Sequence, residues 1–324
     1  MHFRISRWSA TAVAALAMAT VLAGCAGGGN AGGSSGPVVR IGVGIDAAYA
    51  PFFLAQQNGL FKQAGLNVEI VQFGRGGDAV QAIAGKQVEM AGNSDTTTIT
   101  LLAQNPDLRA LYIYEQSGKY LKVVARPGIT SADQIKKMGV VPGLSAYMYQ
   151  KYFEANHVDL KNVEFVTAGP PELPGLTKNG TVDAYLLWEP WPTKGIDLGL
   201  HVLTDTGSYG YSYVHWMIAS NDWLKANQDE AAKISKVILD ATKSVQNDKD
   251  GAAKAVTAET KIATPEAKQA IDQVDWNVRA FTDKDMASYQ EQTKYFLGKG
   301  VLKTAPDLNA AIQKTWLTDN VKGS

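Results

Sequence analysis

One cysteine and four histidines in 324 residues leave little room for two kinds of chemistry. A lone thiol makes no internal disulfide, and so few ligands at scattered positions give no familiar zinc spacing. Net charge is missing as well. The 31 basic residues balance 31 acidic ones, so the chain carries no electrostatic footprint for nucleic acid. The apolar stretch from Ala10 to Val21 is only twelve residues long, too short to span a bilayer.

What surrounds that stretch gives the single thiol a purpose. Arg4 and Arg7 precede it, as in the positive end of an export signal, and Cys25 follows directly after Leu22, Ala23 and Gly24. These residues resemble the lipobox of bacterial lipoproteins, which implies that residues 1–24 are a lipoprotein signal peptide and that Cys25 is lipidated at the mature N-terminus. Residues 25–37, rich in glycine and serine, then read as a flexible tether with a root-mean-square span of roughly 20 Å. The expected location is extracytoplasmic, lipid-anchored to the bacterial cell membrane. Nucleotide chemistry becomes less plausible there, and no cofactor or metal is expected.

The body of the chain repeats itself. NVEIVQFG at Asn67 is echoed by NVEFVTAG at Asn162, and the landmarks Asn67/Asn162, Gly74/Gly169 and Gly85/Gly180 share one offset of 95 residues. In each half a β-branched run, a glycine turn, a helical segment and a second apolar run follow one another, as in a β-α-β unit with a parallel sheet. Further strands are expected at VVRIGVG (38–44), VEMAG (88–92), MGVV (138–141) and VDAYLLW (182–188), and apolar runs lie between the halves at RALYIY (109–114), LKVVAR (121–126) and later YVHWMIAS (213–220). Helical periodicity dominates from Asn221 onward, and this tail is expected to pack on the first domain. The division that results is 38–117 plus 216–324 for domain 1 and 118–215 for domain 2, with two crossings between them.

Parallel α/β sheets bind ligands beyond the carboxyl ends of their strands, where helix N-termini present unpaired N–H groups. Two such domains facing each other make a cleft for a small solute. The stretches DAAYAPFFLAQQNGLFKQAGLNVEIVQF from Asp46 and GGDAVQAIAGKQVEMAG from Gly76, with WEPW at Trp188, resemble the nitrate-, sulfonate- and taurine-binding family of ABC-transporter solute-binding proteins. That family also includes binders of thiamine pyrimidine precursors. The resemblance implies an α/β, two-lobed fold of the periplasmic binding protein type II kind, with the ligand cleft between two α/β domains. It also implies a binding protein rather than an enzyme, a monomer that hands its solute to a membrane permease and its ATPase subunits.

The strand ends supply the candidate contacts. Asp46 and Tyr49 follow the first strand; Arg75 and Gly76 follow the second, offering a charge and open backbone amides to an anion. Ser94 and Asp95 follow the third. Trp188 and Glu189 stand six and seven residues after Val182, as Ser94 and Asp95 stand after Val88, and are therefore expected to face them across the cleft. An indole face suits a flat or cationic ligand. Of the alternating Tyr209, Tyr211 and Tyr213, Tyr211 is the expected contact, on one face of an extended segment. Ser145 reads as a helix N-cap and a further candidate contact. Each of these positions also has an ordinary structural explanation as a cap, a packing ring or a solvated charge.

Arg75, Ser94 and Ser145 argue for an anionic solute such as a sulfonate, whereas Asp95, Glu189 and the tyrosines argue for an amine or a heteroaromatic ring. The leading expectation is a small organic anion of sulfonate, taurine or nitrate type, and the second is a heteroaromatic nutrient. An exported serine hydrolase using Ser145 is the alternative from another class. GVGIDA at Gly42 matches a dinucleotide fingerprint, but its glycines fall within the expected strand rather than after it.

Overall fold

The computed structural model describes residues 36–141 and 145–322, so Cys25 and the leader lie outside the described residues. Ten strands form two five-stranded sheets. They are β1 (Val39–Val43), β2 (Val68–Gln72), β3 (Met90–Ser94), β4 (Leu108–Ser117), β5 (Leu121–Ala125), β6 (Lys137–Val140), β7 (Glu164–Thr167), β8 (Ala184–Trp188), β9 (His201–Asp205) and β10 (Tyr213–Ser220). An expected strand or an apolar run in the sequence marks each of them except β9. Its sequence, HVLTD, leaves Val202 exposed at a sheet edge, so no apolar alternation marks it.

The first sheet runs β2-β1-β3-β10-β4 and the second β7-β6-β8-β5-β9. In each, three parallel strands are followed by an antiparallel neighbour, β10 against β3 and β5 against β8. The internal echo thus corresponds to the same sheet built twice, with β1, β2 and β3 matching β6, β7 and β8. The chain passes from the first sheet to the second between β4 and β5 and returns between β9 and β10. Tyr213 to His215, expected in domain 2, hydrogen-bond within the first sheet, because β10 already begins at Tyr213.

Strands β3 and β8 are buried along their whole length, as parallel strands covered on both faces must be. The helix Ala50–Gln57 starts with proline in its first turn, where the missing N–H costs nothing. The helices Gln228–Asn247 and Lys249–Thr260 pack against it. The long helix Asp283–Gly298 begins in a capping box: Asp285 N–H donates to Thr282 Oγ1 at 3.2 Å and Thr282 N–H to Asp285 Oδ2 at 2.8 Å. This helix lies on Asp95–Leu102, which brings the C-terminal segment behind one wall of the cleft. Among the described residues no helix is long and apolar enough to cross a membrane.

Candidate functional site

A cavity of about 280 Å³ opens beyond the carboxyl ends of the strands. The loop after β1 brings Asp46, whose Oδ1 accepts from Ala48 N–H at 2.8 Å and so starts the short turn Ala47–Tyr49. Tyr120 Oη also donates to this oxygen, at 3.1 Å. Asp46 is 7% exposed, and burial pushes its carboxyl up to about 6 against the pull of those two hydrogen bonds. The turn then sets the buried Tyr49 ring into the wall.

Beyond β2, Arg75 is extended and the helix Gly76–Ala84 starts directly after it. The first amides of any helix lack partners inside it and carry the positive end of its dipole. Gly76 and Gly77 place such backbone against the cavity, with Arg75 and Asp78 paired at 3.0 Å on its rim. A side chain at position 76 has no room: its Cβ would lie 2.6 Å from Asn93 Oδ1 and closer still to Tyr49 Oη. Ser94 ends β3, and the helix Asp95–Leu102 contributes Thr97, Thr100 and Leu101 to the same wall. The second sheet adds Val141, just past β6, and Trp188 at the end of β8. Tyr213, the first residue of β10, completes the lining.

Of the residues expected from sequence, Tyr49, Arg75, Gly76, Ser94 and Trp188 therefore meet at one cavity, and Asp46 with them. Asp95, Glu189 and Tyr211 lie elsewhere. Asp95 is 1% exposed and turned to the C-terminal helix: Oδ2 accepts from Gln292 Nε2 at 2.9 Å and Oδ1 from Tyr211 Oη at 3.0 Å. Burial raises it to about 6 in spite of these donors. Glu189 is engaged by Lys122 Nζ at 2.5 Å and by Thr193, through N–H at 3.2 Å and Oγ1 at 2.8 Å. The cause is the same in both halves. Successive residues at a strand end point to opposite sides, so when Ser94 and Trp188 face the cavity, Asp95 and Glu189 turn away.

Tyr213 takes the place expected for Tyr211. The segment is not extended: Tyr209 closes the turn Gly207–Tyr209, and Gly210 adopts a left-handed conformation at φ 83°. The three tyrosines consequently share no face. The alternation of β10 itself, which puts Tyr213 and His215 on one side, was the available signal. Ser145 opens the helix Ser145–Ala155, but its side chain lies outside the described ones.

Two α/β sheets of matching order, joined by two crossings and enclosing a cavity at their strand ends, define the periplasmic binding protein fold. The family described as "NMT1/THI5 like" matches residues 46–252, more than half of the chain, and the chain belongs to that family. It is similar to a Bacillus subtilis (strain 168) protein named provisionally as an aliphatic sulfonates-binding protein, 24% identical over 261 residues that cover 71% of this chain and 78% of that one. The crystal structure of the periplasmic aliphatic sulphonate binding protein SsuA from Escherichia coli superposes with a TM-score of 0.77 at 15% identity, covering 86% of this chain and 92% of the other. The alkanesulfonate-binding protein SsuA from Xanthomonas axonopodis pv. citri, bound to MOPS, gives 0.75 at 16% identity over 85% and 97% of the two chains. These relatives are binding proteins and lend the hydrolase alternative no support. His215, moreover, is buried among Tyr114, Tyr213 and Glu115, and its hydrogen-bond partners are tyrosines rather than a serine.

Proposed function

We propose that the chain is the solute-binding component of an ABC importer and that its cavity captures a small organic anion of the sulfonate type. The observation that carries this reading is the meeting of first-turn backbone at Gly76 and Gly77 with Arg75, Ser94 and Thr97 around one small cavity. Amides, hydroxyls and a guanidinium are the donors that sulfonate oxygens require. Trp188 and Val141 supply apolar surface for a short carbon chain from the opposite sheet. The names of the sulfonate-binding relatives point to the same class.

The segments 38–117 plus 213–324 and 118–212 act as the two lobes of a clamp that closes on solute about the two crossings. The protein works as a monomer, performs no chemistry on its solute and delivers it to a permease driven by ATPase subunits. It is held outside the cytoplasm by lipid on Cys25. Replacing Cys25 with Ala and fractionating cells tests the anchor: the variant should leave the membrane fraction, and unchanged retention would refute lipidation.

Calorimetric titration with ethanesulfonate, taurine and nitrate tests the solute class. Saturable heat with ethanesulfonate is the expected result, and silence with all three refutes the reading. Asp46, a buried acceptor on the wall, favours a second reading in which the solute is a heteroaromatic ring bearing N–H groups. An aminopyrimidine that binds while ethanesulfonate does not would establish that alternative.

A further inference from the structure

At the floor of the cavity three strands bring together groups that the solute reading leaves without a role. Strand β10 lies between β3 and β4, and His215 stands opposite Ser94 on one side and Glu115 on the other. The register of β10 against β4 slips after His215, since Trp216 faces Ile113, so Tyr114 is an extra residue on its strand. Such a bulge sets two residues against one. Tyr114 Oη at 2.9 Å and Glu115 Oε1 at 3.1 Å accordingly reach the same ring nitrogen, His215 Nδ1. On the other side of the ring, Nε2 lies 2.5 Å from Tyr213 Oη, and Tyr213 lines the cavity.

Glu115 is fully buried, and among the described residues nothing donates a hydrogen bond to either of its oxygens. An ionised carboxylate there would be an uncompensated buried charge, so the group keeps its proton. Burial, with the charges of Asp46 and Asp95, pushes its pKa well above the ordinary carboxylate range. Nδ1 has a single lone pair and its hydrogen-bond partner is Tyr114 Oη at 2.9 Å, so the Tyr114 hydroxyl donates to it, while the neutral Glu115 gives the ring no counter-charge. Burial also lowers the His215 imidazole to about 3, which leaves the ring neutral. A neutral imidazole accepts at one nitrogen and donates at the other. With Nδ1 accepting, Nε2–H donates to Tyr213 Oη, and the O–H of Tyr213 remains for the cavity.

We propose that Tyr114 and His215 act as positioning residues that fix the Tyr213 hydroxyl as a hydrogen-bond donor to an acceptor oxygen of the bound solute, making Tyr213 a specificity-determining contact. The inference rests on the cavity being the solute site. A floor held in this state favours solutes that present oxygen acceptors and discriminates against those that present N–H there.

The test uses the full chain labelled with 15N-histidine. At neutral pH, long-range proton–nitrogen correlation should show His215, identified by the signals lost in His215→Gln, as the Nε2–H tautomer with bare Nδ1. An Nδ1–H tautomer or an imidazolium overturns the proposal. With ethanesulfonate as probe, Tyr213→Phe should weaken binding roughly tenfold, the scale of one hydrogen bond to a charged group. Tyr114→Phe, which has no hydroxyl proton to give to Nδ1, should weaken it similarly, and the double variant should be no worse than Tyr213→Phe alone. Binding by Tyr213→Phe equal to the native chain, or additive losses in the double variant, refutes the arrangement. Thermal melts establish that each variant is folded; if Tyr114→Phe is not, the native tautomer and Tyr213→Phe decide. Failure of the native chain to bind ethanesulfonate would instead count against the sulfonate reading and leave the tautomer result standing.

Discussion

Tyr120, one residue before β5, donates its phenolic proton to Asp46 Oδ1 at 3.1 Å and so ties the start of the second sheet to the cavity wall of the first. The same hydroxyl lies 3.3 Å from the Glu189 carbonyl oxygen at the end of β8. Its ring stacks on Tyr213, with centroids 6.0 Å apart. A single side chain at the first crossing therefore touches three parts of the site.

The Asp46 carboxyl, raised to about 6, makes anion binding depend on pH. An anion beside it favours the protonated form, so binding takes up a proton and affinity rises as pH falls through that value. Titration with ethanesulfonate should show a gain of roughly tenfold between about pH 7.5 and pH 5. Asp46→Asn should bind with little pH dependence. The folded protein follows the same sign: a raised acid contributes stability below its unfolded pKa, near 4, and that contribution is lost as pH rises through about 6. A flat native titration would remove Asp46 from the site.

Gly76 has a steric reason to be glycine that Gly77 has in smaller measure. A Cβ at position 77 meets only Thr97 Cγ2, at 3.0 Å, whereas at position 76 it meets Asn93 and Tyr49 at shorter range. Gly76→Ala should lower solute affinity at least tenfold and cost roughly 1 to 3 kcal/mol of stability. Gly77→Ala should do markedly less of both. Equal effects in paired calorimetry and melts would show that this corner is not where solute sits.

Trp188 is at once core and wall: it is 8% exposed, pairs with Leu121 of β5 and lines the cavity. Trp188→Ala should therefore lower stability by roughly 3 to 5 kcal/mol and also weaken binding by roughly 1 to 3 kcal/mol in the protein that remains folded. Binding by the folded fraction that matches the native chain would reduce Trp188 to a packing residue.

Glu189 joins Lys122 of the second sheet to Gln273 of the C-terminal segment. Its partner Lys122 also reaches Gln273, from the segment that returns to the first sheet. Glu189→Gln should leave the preference among sulfonates unchanged while costing roughly 1 to 3 kcal/mol of stability, because a largely buried ammonium loses its counter-charge. A changed preference without a lower melting temperature would return Glu189 to the cavity.

Sequence alone marked nine of the ten strands, three of them only as apolar runs, the repeated sheet and six of the residues that line the cavity, because strand periodicity and glycine punctuation are local properties of the chain. Matching positions in the two halves brought Ser94 and Trp188 to the same cavity. What the repeat could not decide is which of two adjacent residues turns inward, since that depends on the direction of the pleat as each strand ends. Only the tertiary structure sent Asp95 to Gln292 and Glu189 to Lys122, and only the turn at Gly210 exchanged Tyr211 for Tyr213. The row from Tyr114 through His215 to Tyr213 was illegible for a further reason: β4 and β10 lie a hundred residues apart, and a bulge in their pairing set two side chains of one strand against one ring of the other.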